Sequence, residues 1–84
     1  MILSWAEQAW DDYLYWQTTD KKTLKRINTL INDIKRQPFS GLGEPEPLKH
    51  HWSGYWSRRI DKEHRLIYKV GDDAVIIVQC RYHY

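Results

Sequence analysis

All three prolines and two of the four glycines of this 84-residue chain fall in one stretch, Gln37-Pro38-Phe39-Ser40-Gly41-Leu42-Gly43-Glu44-Pro45-Glu46-Pro47. Proline removes a backbone donor and glycine loosens the chain, so no regular element runs through it. This loop divides the sequence into a half with helical periodicity and a half with strand periodicity. With 84 residues and 42% hydrophobic content, both halves must share one core. A second independent core would be too small to hold. Residues 1–84 are therefore read as one domain of α+β class.

Before the loop, residues 1–3 are apolar and form a short strand. Ser4 precedes Glu7 by three positions, the spacing of a capping box, which predicts a helix starting there. Trp5, Ala6, Ala9, Trp10, Tyr13, Leu14 and Trp16 fall on one half of that cylinder, with Glu7, Gln8, Asp11 and Asp12 on the other. Thr18, Thr19 and Asp20 interrupt it. From Lys21 to Arg36 a second apolar stripe follows, Leu24, Ile27, Leu30, Ile31 and Ile34, stopped by Pro38.

After the loop come three predicted strands, 52–60, 63–70 and 74–83. Asp61-Lys62 and Gly71-Asp72-Asp73 supply the turns of an antiparallel meander. Alternation predicts that Leu66, Tyr68 and Val70, with Ile76, Val78, Cys80 and Tyr82, face the helices. Arg59, Arg65, Lys69, Gln79, Arg81 and His83 would share the opposite face with Ile67, Val75 and Ile77. Such a face is either a cationic platform for RNA or an ordinary solvated sheet surface.

Thirteen Lys and Arg against eleven Asp and Glu give a net charge of only +2, so the total does not point to nucleic acid. The distribution is more informative, because an acidic first segment precedes basic segments at 21–36 and 48–70. The aromatic content excludes disorder, and no apolar run approaches the ~20 residues of a membrane span. The start lacks the features of a signal peptide, and the lone Cys80 suits a reducing compartment. The expected location is the cytoplasm.

Metal-ligand, phosphate-loop and nucleophile-elbow patterns are lacking, so no cofactor and no metal is expected. A carboxylate, several cations and histidines remain, which suffice for metal-free RNA cleavage. In that chemistry a base deprotonates the 2′-hydroxyl, cations stabilise the phosphoryl oxygens, and an acid protonates the departing 5′-oxygen. Glu46, held between Pro45 and Pro47, is a stiffly presented carboxylate, although those prolines equally suit a structural spacer. His83 continues an aromatic, basic C-terminus.

The motifs Pro45-Glu46-Pro47-Leu48-Lys49-His50, Ser53-Gly54-Tyr55-Trp56-Ser57-Arg58-Arg59-Ile60 and Glu63-His64-Arg65-Leu66-Ile67-Tyr68 resemble those of the YoeB toxins of the RelE/ParE superfamily. So do the start, Trp5 through Trp16, and the ending Cys80-Arg81-Tyr82-His83-Tyr84. His51-Trp52 departs from the expected smaller polar-then-apolar pair, and Glu44 adds a second acid beside Glu46. The resemblance implies a RelE/YoeB-like fold and a ribosome-dependent mRNA endonuclease acting on A-site message. It implies Glu46 as general base, His83 as general acid and Arg65 as the transition-state cation, with Lys49, Arg59 and Tyr84 in support. A cognate, YefM-like antitoxin is implied as partner. Such toxins are known as dimers, although no self-complementary surface is legible in the chain. Lys21, Lys22, Lys25 and Arg26 are candidates for ribosome contact. A ParE-like gyrase inhibitor and a non-catalytic ribosome- or RNA-binding module stand as alternatives.

Overall fold

The computed structural model describes residues 1–82; His83 and Tyr84 lie outside the described residues. The order is β1 (Ile2–Trp5), α1 (Glu7–Thr19), α2 (Lys21–Arg36), β2 (Glu46–Pro47), a 3-10 turn (His50–Trp52), β3 (Tyr55–Arg59), β4 (Arg65–Val70) and β5 (Ala74–Gln79). The five strands form one sheet in the order β1-β5-β4-β3-β2. The meander is antiparallel, and β1 closes it by pairing parallel to β5. The α+β architecture is the one expected, and the strands are shorter than the predicted segments.

Helix α2 follows its sequence pattern. Asp20 accepts from the Lys22 and Thr23 N–H groups and caps it, and Lys35 and Arg36 lie in its last turn, where cations suit the dipole. Ile27, Leu30, Ile31 and Ile34 are buried in the core, with Leu24 packed at its margin.

Helix α1 departs from its pattern. Its N-cap is Ala6, without a side-chain bond, because Ser4 belongs to β1 and the Ala6 N–H still donates to Ile77 O. Ladder hydrogen bonds therefore displace the expected capping box. The buried positions are Ala9, Asp12 and Trp16, whereas Trp10 and Leu14 are exposed. Asp12 turns inward because Oδ2 accepts the Cys80 N–H, and burial raises its carboxyl above the ordinary value. Trp10 packs instead with Trp5 and Tyr13 as a surface aromatic cluster.

In β5 the predicted faces are corrected. Val75 and Ile77, not Ile76 and Val78, enter the core opposite Val70 and Tyr68. Ile67 and Tyr68, adjacent in β4, then face Gln79 and Ile77, so β5 carries one extra residue, Val78. A bulge of this kind reverses the alternation, which is how Cys80 also reaches the core. Tyr82, expected to face inward, is exposed and has a left-handed backbone, φ 66°. Ile67 is fully buried yet lies outside the main core cluster.

Candidate active site

The site is built by register. Glu46 pairs with Ser57 across β2 and β3, and Arg59 pairs with Arg65 across β3 and β4. Opposed residues share a face, as do residues two apart in a strand, so Glu46, Ser57, Arg59 and Arg65 project from one side. They line a pocket of about 110 Å³ together with Glu44. Glu46 is exposed, Ser57 is buried and Arg65 is half-buried. Two guanidinium groups directly opposite each other are destabilising unless an anion lies near.

The cations are held in different ways. Arg59 Nε lies 3.5 Å from Glu44 Oε2, so the extra acid partners a cation. Arg65 Nη1 donates to two backbone carbonyls, Asp61 O at 2.9 Å and His64 O at 3.1 Å. It makes no ion pair with Asp61 or Glu63 among the described residues, so it is oriented without being neutralised. Asp61 instead caps the turn, accepting from the Glu63 and His64 N–H groups.

Beneath the site lies a residue to which sequence reasoning assigned no role. Arg58 is fully buried and donates to five acceptors: Asp33 Oδ2, Tyr68 Oη, Gln37 O, Ser40 O and Leu42 O. Tyr68 in turn donates to Pro38 O at 2.6 Å. The Gln37 amide, the Leu42 N–H and Arg58 hold the Asp33 carboxyl down at about 2. These bonds tie the loop carrying Glu46 to α2, β3 and β4. Gly41 and Gly43 have φ of 115° and 77°, and a Cβ at either would collide with Asp33 or Leu30. Two signals could have revealed the arrangement: Asp33 is the lone acid of a basic helix, and Arg58 must point opposite to Arg59.

Lys49 lies in a neighbouring groove of about 400 Å³ that Glu46 also lines. Lys21, Lys22, Lys25 and Arg26 lie on α2 and do not line the Glu46 pocket, although Arg26 Nη2 donates to Arg59 O and so braces β3. Arg81 does not join the cationic face, because its guanidinium sits 3.5 Å over the Tyr15 ring of α1. The C-terminal segment is pinned by Trp16 Nε1 to Cys80 O, by the Tyr82 N–H to His64 Nδ1 at 2.7 Å, and by the Arg65 N–H to Tyr82 O. Tyr82 thus lies beside Arg65. The expected roles of His83 and Tyr84 fall outside the described residues.

Burial, then the charge of Asp12, pushes the Cys80 thiol up to about 12, which suits a core side chain and not a nucleophile. Among the described residues no group of three His, Cys, Asp or Glu side chains could hold a metal ion. No helix among them is long and apolar enough to cross a membrane.

Residues 5–84 match the family described as the YoeB-like toxin of bacterial type II toxin-antitoxin systems. The chain belongs to the YoeB toxin family. It is 63% identical to Toxin YoeB of Escherichia coli K12 over 84 residues, covering all of both chains. A YoeB/ParE toxin from Agrobacterium tumefaciens has a solved structure that superposes with TM-score 0.98 at 51% identity, again over both whole chains. The YoeB of a heterotetrameric YoeB-YefM complex from Staphylococcus aureus superposes with TM-score 0.92 at 46% identity, covering all of this chain and 98% of that one. A YoeB dimer from the same organism has also been solved, at TM-score 0.93.

Proposed function

We propose that the chain is a ribosome-dependent mRNA endoribonuclease, residues 1–84 acting as one toxin domain that cuts A-site message in the cytoplasm without a metal. The observation that carries this reading is the pocket that Glu46 shares with Arg59 and Arg65. Glu46 takes the proton of a ribose 2′-hydroxyl, and the 2′-oxygen attacks the adjacent phosphorus. Arg65, supported by Arg59, Lys49 and Tyr84, stabilises the charge on the nonbridging oxygens. The bond to the 5′-oxygen breaks, and His83 protonates that oxygen. The products are a 2′,3′-cyclic phosphate, or the 3′-phosphate formed by its hydrolysis, and a free 5′-hydroxyl.

So small a chain has little surface for orienting flexible RNA, and in-line geometry is worth several kcal/mol of barrier. The ribosome supplies that orientation, with Lys21, Lys22, Lys25, Arg26 and Lys49 contacting rRNA. The S. aureus relatives support a YefM-like antitoxin and a homodimer here as well. The antitoxin's acidic, partly disordered tail covers or displaces Glu46, Arg65 and His83.

Mapping mRNA 5′ ends on translating ribosomes tests the reading. Cuts in the A site are expected, with naked message cut weakly or not at all. Equal rates on both would overturn ribosome dependence, and gyrase-dependent DNA breaks would replace the nuclease with an inhibitor. A 5′-phosphorothiolate leaves without protonation, so it should rescue His83→Ala and not Glu46→Ala. The reverse pattern would exchange the two roles.

A further inference from the structure

Glu46 sits at a fork. On one side is the cationic pocket with Arg59 and Arg65. On the other is the larger groove of about 400 Å³ formed by the run from Glu46 to Trp52. Its walls are apolar and aromatic, Pro47, Leu48 and Trp52, and its polar members beyond Glu46 are Lys49, His50 and His51. No acid occurs between Pro47 and Trp52.

The groove has a fixed shape. Leu48 is buried and its N–H donates to Tyr55 O at 2.9 Å. The Trp52 N–H donates to Lys49 O and the Ser53 N–H to His50 O, closing the 3-10 turn. His50 has φ 57°, a left-handed backbone that a non-glycine residue keeps only where surrounding bonds hold it. Trp52 is half-buried, with its ring set at 86° to Tyr55 and the centroids 5.4 Å apart.

We infer that the Leu48–Trp52 groove is a nucleobase subsite, receiving the base of the nucleotide whose 2′-hydroxyl faces Glu46. The inference rests on the nuclease reading and deepens it. A ribose joins its base one carbon away from its 2′-oxygen, so that base must lie within a sugar's reach of Glu46. Charge then sorts the two sides of the fork. The phosphate goes to the arginines, and the planar, weakly polar base goes to the aromatic wall, with Lys49 near the backbone. Unstacked RNA bases are commonly received on aromatic side chains in this way. The volume is ample for one planar ring system.

The test uses the full chain on ribosomes programmed with message. Trp52→Ala is expected to slow A-site cleavage by about 10–100-fold, and Trp52→Phe to recover most of it. With an abasic residue in place of the nucleotide 5′ to the cut, the parent and Trp52→Ala rates should converge. An undiminished difference on the abasic message would overturn the assignment. A 2′-methoxy message carrying 4-thiouridine at that nucleotide supplies a readout independent of cutting. Its photo-crosslink is expected within Leu48–Trp52, and a crosslink confined to other residues would reject the groove even if the parent cuts normally. Failure of the parent to cut unmodified message would reject the nuclease reading, while the crosslink still reports on the groove. Trp52→Ala that cuts at the parental rate but loses self-association would assign the groove to a second copy of the chain instead.

Discussion

Arg58 and Arg59 are neighbours on β3, and they lead opposite lives. Arg58 points under the sheet into a fully satisfied interior, opposed by Asp33 and four further acceptors. Arg59 points into the open pocket, directly across the ladder from Arg65. The interior neutralises its cation and uses it as a tie. The pocket sets Arg59, paired with Glu44, across from Arg65, which is anchored on backbone carbonyls that fix direction without cancelling charge. One strand therefore supplies an interior guanidinium and a pocket-lining one, separated only by the alternation of the pleat.

Arg65→Ala offers the largest expected effect and sharpens the contrast. It should reduce A-site cleavage by about 10²–10³-fold, as loss of a transition-state charge stabiliser does, with near-parental thermal unfolding. Arg65→Lys should recover only part of the activity, because an ammonium lacks the planar fork. Arg58→Ala should do the opposite first: a midpoint lower by roughly 15 °C, from leaving Asp33 buried without its cation. If Arg65→Ala unfolds the protein as readily as Arg58→Ala, the distinction between tie and tool fails.

Acid titration probes the tie itself. The Asp33 carboxyl is depressed from 3.8 to about 2 by Gln37, the Leu42 N–H and Arg58. A depressed acid contributes its full stability above 3.8, loses it as the pH falls, and contributes none below about 2. Asp33→Asn is therefore expected to be less stable than the parent at neutral pH and to converge with it near pH 2. Urea midpoints across that range would check this, and a constant difference down to the lowest pH would remove Asp33 from the account.

The smallest effect concerns Cys80. Buried against Ala9 with its thiol pushed up to about 12, it should resist alkylation in the folded protein and react on denaturation. Rapid labelling of the native state would show the interior beneath α1 to be open, and so unlike the interior around Arg58.

Much of this was legible beforehand because the signals are local. The α2 stripe, the Asp20 break and the proline-rich loop each depend on neighbours within a few residues. The placement of Arg59 and Arg65 on one face followed from alternation. Glu46 could be singled out by its flanking prolines, though not as a strand residue, because a two-residue strand carries no period. The motif resemblance to the YoeB toxins was likewise visible without coordinates.

Other features required the partner strand. Nothing along β5 marks Val78 as the extra residue; the bulge exists only in its register with β4. Asp12 reads as a surface acid until the Cys80 N–H, 68 positions away, needs an acceptor. Ser4 and Glu7 have the spacing of a cap, yet β1 consumes Ser4 by pairing with β5. The sequence by itself determined the order of the helices and the longer strands, the loop that separates them, and the residue types available for chemistry. The tertiary structure alone decided that Val75 and Ile77 became interior in place of Ile76 and Val78, and that Asp12 turned inward to meet the Cys80 N–H. The reason is that burial and hydrogen-bond satisfaction are settled between segments distant in the chain, where periodicity along one segment carries no information.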